Sequence, residues 1–408
     1  MYRVVIDDGL QEPVVEGREL HIPAHIDAKT VQELKATLSE LLAPYSSASQ
    51  AQRVTKYSPR YRLAFTLLNE DAASGTGVMA WDVQGAIRSH IGPLLEKLSD
   101  LHNFTIESQV QFHAPLAFEP RLLRHNDTEV HGLAHEDLTV FINSAEWTLS
   151  SSVSNDPVLH FVLFIPSAKN TPLHILDQQA PTGSIHPSNA FLLPQWGGIV
   201  IMNPSHKSFT STTISRLTVA DLSPVFSTFA HQLLTLLGVP GLPPHVRPAR
   251  RPENDAHREP FTDWELDALL RRRALENVQS SMETLEAIVR LVDQIENMPV
   301  GEDVVGDVQD ALDALNDAHE SSRFSPVETL KHSARALTLA SRAFFNPGML
   351  ALLYFPAEHT YAVYTPLFAS VAAPLIGAVI REVVAWRKAR KAAAVATKEA
   401  LGTSRKVD

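Results

Sequence analysis

Cysteine is missing from all 408 residues. Its absence excludes disulfide staples, thiol nucleophiles and Cys-ligated metal centres. It leaves the compartment open, because a domain of this size folds without staples. Positive charge is also scarce: 35 Lys/Arg face 46 Asp/Glu, a net charge of −11. Such a balance argues against nucleic acid as a partner. No apolar leader stands at Met1, no segment repeats at a fixed period, and neither a GxSxG elbow nor an HExxH pattern occurs. With 44% hydrophobic residues the chain still has enough apolar side chain for a large core and two soluble units.

One long, strongly apolar stretch lacks formal charge. Tyr361 to Ile380, YAVYTPLFASVAAPLIGAVI, is 20 residues long. At ~1.5 Å per residue a helix of that length covers about 30 Å, the hydrocarbon thickness of a bilayer. Val383, Val384, Ala385 and Trp386 carry the apolar character on to an interfacial ring, so a transmembrane helix is expected over 361–386. The run is rich in Ala and includes Pro366 and Pro374. Small residues let helices approach closely in lipid, and Ala372 and Gly377 are the expected contact positions with neighbouring helices.

From Arg381 to Asp408, eight Lys/Arg stand against three Asp/Glu, a net charge of +5. Basic flanks stay cytosolic, which puts the tail 387–408 in the cytosol and residues 1–356 in the lumen. The tail also suits anionic lipid headgroups. A tail-anchored, cytosol-facing membrane adaptor has the same layout. Glycosylation separates the two readings, and the sequons Asn103-Phe-Thr105 and Asn126-Asp-Thr128 lean toward the lumen.

Hydrophobic periodicity predicts an α/β fold with a mixed sheet and flanking helices over 1–239. A Pro-rich linker is expected over 240–261, and a three-helix bundle over 262–348. Strand material opens the chain, and Thr30-x-x-Glu33 reads as the capping box of a helix. Arg62–Leu68 and Asn103–Phe112 read as strands joined by a helix, hence a parallel βαβ unit. Residues 114–135 read as irregular. Val158–Ile165 reads as a fully buried strand, with a short strand at Leu173–Leu176 beside it. Two strands over 189–203 flank a bend at Pro194–Gly198. Ser223 and Pro224 read as the start of a helix that ends at Gly238. Thr262, Asp303 and Ser325 mark the starts of the three long helices.

Chemical motifs are few. Gly75-x-Gly77-x-x-Ala80 stands too far from a strand end for a dinucleotide turn and reads as a flexible loop. His125, His131 and His135, with Asp127 and Glu129, lack metal-ligand spacing and read as a polar loop. His160, alone in an apolar run, reads as a hydrogen-bonded core histidine. No catalytic, cofactor-binding or metal residue is assigned. Trp196, Gly197 and Gly198 are candidates for partner contact, with an internal structural turn as the plainer alternative.

Seven blocks share one order with a known family. They are YRLAFTLLN (61–69), WDVQGAIRSHIGPLL (81–95), NFTIESQVQF (103–112), DPVLHFVLFIP (156–166), SNAFLLPQWGGIVIMN (188–203), WELDALLRRRALENV (264–278) and FFNPGMLALLYFPAEHTYAVYTPLF (344–368). In them the chain resembles the PIG-S family of membrane subunits of the GPI transamidase of the endoplasmic reticulum. The resemblance implies a lumenal α/β domain held by a span at each end. It implies partners in the other transamidase subunits, including the caspase-like catalytic subunit PIG-K. That complex removes the C-terminal signal of a proprotein and joins the new carboxyl end to a preformed GPI lipid. The family member itself is non-catalytic, without a cofactor, and Asn103 sits where relatives also carry a sequon. The family's N-terminal span has no counterpart in the sequence, so an earlier start with a hydrophobic segment of ~20 residues is expected.

Overall fold

The computed structural model describes residues 2–23, 28–43, 54–74, 77–125, 128–149, 154–177, 184–203, 216–249, 261–295, 300–348 and 357–404. Short alternating segments build a first sheet. β1 (Arg3–Asp7), β2 (Val14–Glu16) and β3 (Glu19–Pro23) pair with β3 in the middle, parallel to β1 and antiparallel to β2. Gly17, at φ 53°, turns the chain between β2 and β3. α1 (Ala28–Leu42) lays Leu34, Leu38 and Leu41 on Val15, Leu20 and Ile22. It begins two residues before Thr30, so Thr30 lies inside the helix and is not its cap.

A second sheet holds the main core. β4 (Arg60–Asn69) is buried at every residue after Arg60. β5 (Ala80–Trp81) then leads into α2 (Val83–Ala86), a π-helical turn over Ile87–Ile91, and α3 (Gly92–Lys97). Asp82 starts this run by accepting a hydrogen bond from the Gly85 N–H. Ile91, Leu94, Leu98 and Leu101 pack into the core, and the chain continues into β6 (Asn103–Gln111), parallel to β4 as the βαβ spacing predicts. The apolar residues of β6 are only partly buried. Phe104 and Val110 pack on the core, but Ile106 is 41% exposed, because β6 is the edge strand.

Residues 114–135 are not irregular throughout. β7 (Arg121–His125) and β8 (Thr128–Leu133) form an antiparallel hairpin, followed by α4 (His135–Thr139). Arg, His and Glu within these strands blur the two-residue period that would have marked them. β9 (Val158–Ile165) lies parallel to β4, with Leu159, Phe161 and Leu163 in one core cluster and Val162 and Phe164 in another. β10 (Leu173–Ile175) pairs with β8 and not with β9, whose two edges are taken by β4 and by a later strand. β11 (Ala190–Leu193) and β12 (Gly197–Ile201) make the expected pair, with β12 against β9. The strand order is β11-β12-β9-β4-β6, antiparallel only at β11.

β13 (Arg216–Leu217) pairs with β5 and leads to α5 (Val219–Leu237). Its cap is Thr218 and not Ser223: Thr218 and Asp221 form a reciprocal capping box, which puts Ser223 and Pro224 inside the helix. The αL cap at Gly238, φ 73°, falls where expected. Phe226 of α5 stacks on Phe65 and Phe229 packs against it at a tilt, with ring centroids 5.5 and 6.1 Å apart. Within the Pro-rich stretch, β14 (Arg247–Pro248) pairs with β2 and ties the chain there into the first sheet.

α6 (Asp263–Gln294), α7 (Glu302–Ser321) and α8 (Pro326–Phe344) lie where the periodicity predicts. Thr262 and Glu265 exchange the two bonds of a capping box at the start of α6. By contacts the chain forms two compact units, residues 1–280 with 313–337, and 281–312 with 338–408. In the first, Leu269, Leu270 and Ala274 join the β4 core, and buried Arg273 donates to the carbonyls of Thr55 and Leu237. In the second, Arg342 pairs with Asp307, and the Asn346 amide donates to Asp303 at 2.7 Å. That unit ends in α9 (Ala357–Ser404), a single 48-residue helix running through Pro366 and Pro374.

Candidate functional site

In a sheet of parallel strands, ligands bind beyond the carboxyl ends where the strand order reverses. Here β6 lies on one side of β4 and β9 on the other, so the reversal falls between the ends of β4 and β9. Those ends are closed by side chains of the chain itself. Glu70, 8% exposed, accepts the Ser167 N–H at 2.8 Å with one carboxylate oxygen and the Asn170 amide with the other. Asn69 donates to the carbonyls of Val78 and Gln111 at 2.9 and 3.1 Å and accepts the Val78 N–H at 2.7 Å. A buried carboxylate that holds a donor on each oxygen is a fastening, because losing it would leave both donors unpaired in a buried place.

Of the Gly75-x-Gly77 pattern, Gly77 is described. Gly75 falls outside the described residues. Gly77 packs so tightly that an added Cβ would stand within 2.6 Å of the Ala72 backbone. The close approach fits the loop onto Ala72, and Ser74 Oγ joins it to the β9 end by accepting the Ala168 N–H at 3.1 Å. None of the three residues Glu70, Ser167 and Asn170 belongs to a sequence motif, and only the strand order brings them together.

At the opposite, amino end of these strands sits the Trp196 bend. Gln195 at φ 60° turns the chain, and the Trp196 carbonyl accepts the His160 N–H at 3.0 Å. The half-buried Trp196 ring stacks on the His160 imidazole, centroids 4.7 Å apart and planes 24° apart. Gly197 and Gly198 are both buried. A Cβ on Gly197, at φ 156°, would fall on the His160 carbonyl oxygen, and one on Gly198 would fall on the Gln232 carboxamide. Both glycines therefore serve close approach within the chain. Burial, helped by the nearby charge of Arg62, pushes His160 down to about 4. Neutral and ring-stacked, it packs against the bend, but its buried Nδ1 has no hydrogen-bond partner among the described residues, unlike the hydrogen-bonded histidine expected.

The remaining candidates are dispersed. His131 lies on β8 and His135 opens α4, while the side chain of His125, and Asp127, fall outside the described residues. Among the described residues no group of three His, Asp or Glu is placed to hold a metal ion. Asn103 is exposed at the start of β6, and Asn126 falls outside the described residues. Ala372 is exposed on α9, and an added Cβ at Gly377 meets no atom within 4 Å. Five residues of helix set these two positions about 140° apart, so a single flat helix contact does not cover both. Among the described residues one helix is long and apolar enough to cross a membrane, Ala362–Ala392, and none of it is buried.

Comparison with known proteins places the chain in a family. The family model described as "PIG-S: Phosphatidylinositol-glycan biosynthesis class S protein" matches residues 5–389. A mouse protein named "GPI-anchor transamidase component PIGS" is 33% identical over 385 residues, which cover 92% of this chain and 66% of that protein. Its human counterpart is 31% identical over 386 residues, 92% of this chain and 67% of that protein. A fission yeast protein, "GPI transamidase component PIG-S homolog", is 31% identical over 347 residues, 85% of this chain and 57% of that protein. The chain thus spans about two thirds or less of the length of these relatives. With a family match across nearly its whole length, the chain belongs to the PIG-S family, the phosphatidylinositol-glycan biosynthesis class S proteins.

Proposed function

We propose that this chain is a non-catalytic, membrane-spanning subunit of a GPI transamidase, working in the endoplasmic reticulum membrane. The observation that carries the reading is about one-third identity over 92% of the chain to mammalian transamidase components. The closed crevice at Glu70 supports an accessory role, since it is filled where a sheet of this topology would offer a substrate site. The α/β part, 1–239, supplies lumenal surface, and the Pro-rich stretch 240–261 leads to a support of three helices over 262–348. The span 361–386 fixes the chain in the bilayer, with the basic tail 387–408 in the cytosol. Chemistry belongs to a separate caspase-like subunit, PIG-K. Trp196 in the bend, with Ala372 and Gly377 in the span, offers contact surface to other subunits.

A tail-anchored cytosolic adaptor gains no support from relatives that are all named as transamidase components. The testing experiment is purification of the full chain from mild detergent and identification of its stoichiometric partners. The reading expects a protease-like subunit among them. Recovery of cytosolic partners alone, with no glycan on Asn103, would refute it.

A further inference from the structure

From Ala362 to Trp386, α9 rises about 36 Å, some 6 Å more than the hydrocarbon core, so Trp386 reaches the headgroup layer. The ring is 59% exposed, as an interfacial aromatic is. Arg387, Lys388, Arg390 and Lys391 follow at once, four cations within five residues, all exposed. Among the described residues none of the four has an ion-pair partner, whereas Arg18, Arg62 and Arg342 each hold a carboxylate. The Arg390 guanidinium lies over the Trp386 ring, 5.1 Å from its centroid. That contact holds one cation at the depth of the ring while leaving its N–H groups unspent.

We propose that Trp386, Arg387, Arg390 and Lys391 form a binding site for the headgroup of an anionic phospholipid on the leaflet that faces the basic tail. The inference rests on the span crossing the bilayer. Charge complementarity selects the occupant: unpaired cations at headgroup depth meet phosphate and carboxylate oxygens there. A guanidinium presents paired N–H donors that match a phosphate in a way an ammonium does not. Trp386 and Arg390 lie one turn apart on the helix, as do Arg387 and Lys391, so the four share one side of it, within an arc of about 140°.

The test uses the full chain in detergent mixed with equal amounts of dioleoyl phosphatidylserine and dioleoyl phosphatidylcholine, with retained lipid counted by native mass spectrometry. The site predicts a preference for phosphatidylserine on the order of tenfold. It predicts loss of that preference in Arg387→Gln/Arg390→Gln/Lys391→Gln and a clear weakening in Trp386→Ala, which keeps every charge. Equal retention of both lipids, a triple variant that still prefers phosphatidylserine, or a Trp386→Ala variant identical to the parent would overturn the site. So would displacement of the lipid by millimolar inorganic phosphate, which would mean that the cations read free anion. Alkaline carbonate extraction of membranes, run in parallel, tests the span itself and separates its failure from that of the lipid site.

Discussion

Glu70 at the end of β4 accepts the backbone N–H of Ser167 at the end of β9, 2.8 Å away. The bond joins the two strands at the point where a sheet of this topology usually opens to a ligand. With the Asn170 amide on its other oxygen, the carboxylate closes that point from within.

Replacing Glu70 with Ala would strand the Ser167 N–H and the Asn170 amide in a buried place. A loss of about 2–4 kcal/mol of stability is expected, the range for a buried charged acceptor with two donors. Thermal unfolding of the purified chain measures it. Glu70→Gln keeps one acceptor oxygen and should lose less.

Gly198→Val should destabilise by about 1–3 kcal/mol or more, since its side chain would displace Gln232. Gln232 Nε2 donates to the carbonyls of Phe191 and Ile199 at 2.9 and 3.4 Å, so the clash would spread into both strands of the hairpin. Trp196→Ala removes the stack on His160 with no clash and should cost less. Abundance and unfolding midpoint of the two variants order them. A Trp196→Ala protein of normal stability that loses its partners would assign the ring to a contact between subunits.

Acid should destabilise the protein over a definite window. Burial pushes both His102 and His160 down to about 4, against about 6.5 when unfolded. Between those values the unfolded chain binds more protons, so stability is full above about pH 6.5 and falls as pH drops toward 4. Each group would withdraw about 2 kcal/mol by pH 5. Denaturant unfolding from pH 7 to 5 measures the slope, and His102→Asn should flatten it by about half.

Asn103 is exposed at the first residue of β6, within reach of a glycosylating enzyme. In the full-length protein, endoglycosidase should shift the band, and Asn103→Gln should abolish one step of that shift. An unshifted band, with the C-terminal tail protected from protease in sealed microsomes, would reverse the topology.

Local signals carried much of this architecture in the sequence. β4, β9, the β11–β12 pair and the start of α6 were legible because apolar runs, a Pro-Gln-Trp-Gly-Gly bend and the Thr262/Glu265 pair act within a few residues. Ser223-Pro224 imitates a helix start and obscures the true cap at Thr218, whose signal is Asp221 three residues on. The β7–β8 hairpin hid behind polar strand residues. The partner of β10 was not legible, because β12 and β4 reach β9 from distant parts of the chain. Glu70 was invisible for the same reason: its meaning depends on strand order, which no local pattern encodes.

The central claim is that the chain acts by assembly and not by chemistry. Its most direct test is the transamidation rate per assembled complex, measured beside complex abundance for Glu70→Ala, His160→Asn, Gly198→Val and Ala372→Asp. Abundance should fall by different amounts across the four, while the rate per assembled complex stays at the parental value. A polar substitution that leaves assembly and stability intact but abolishes turnover would contradict the account.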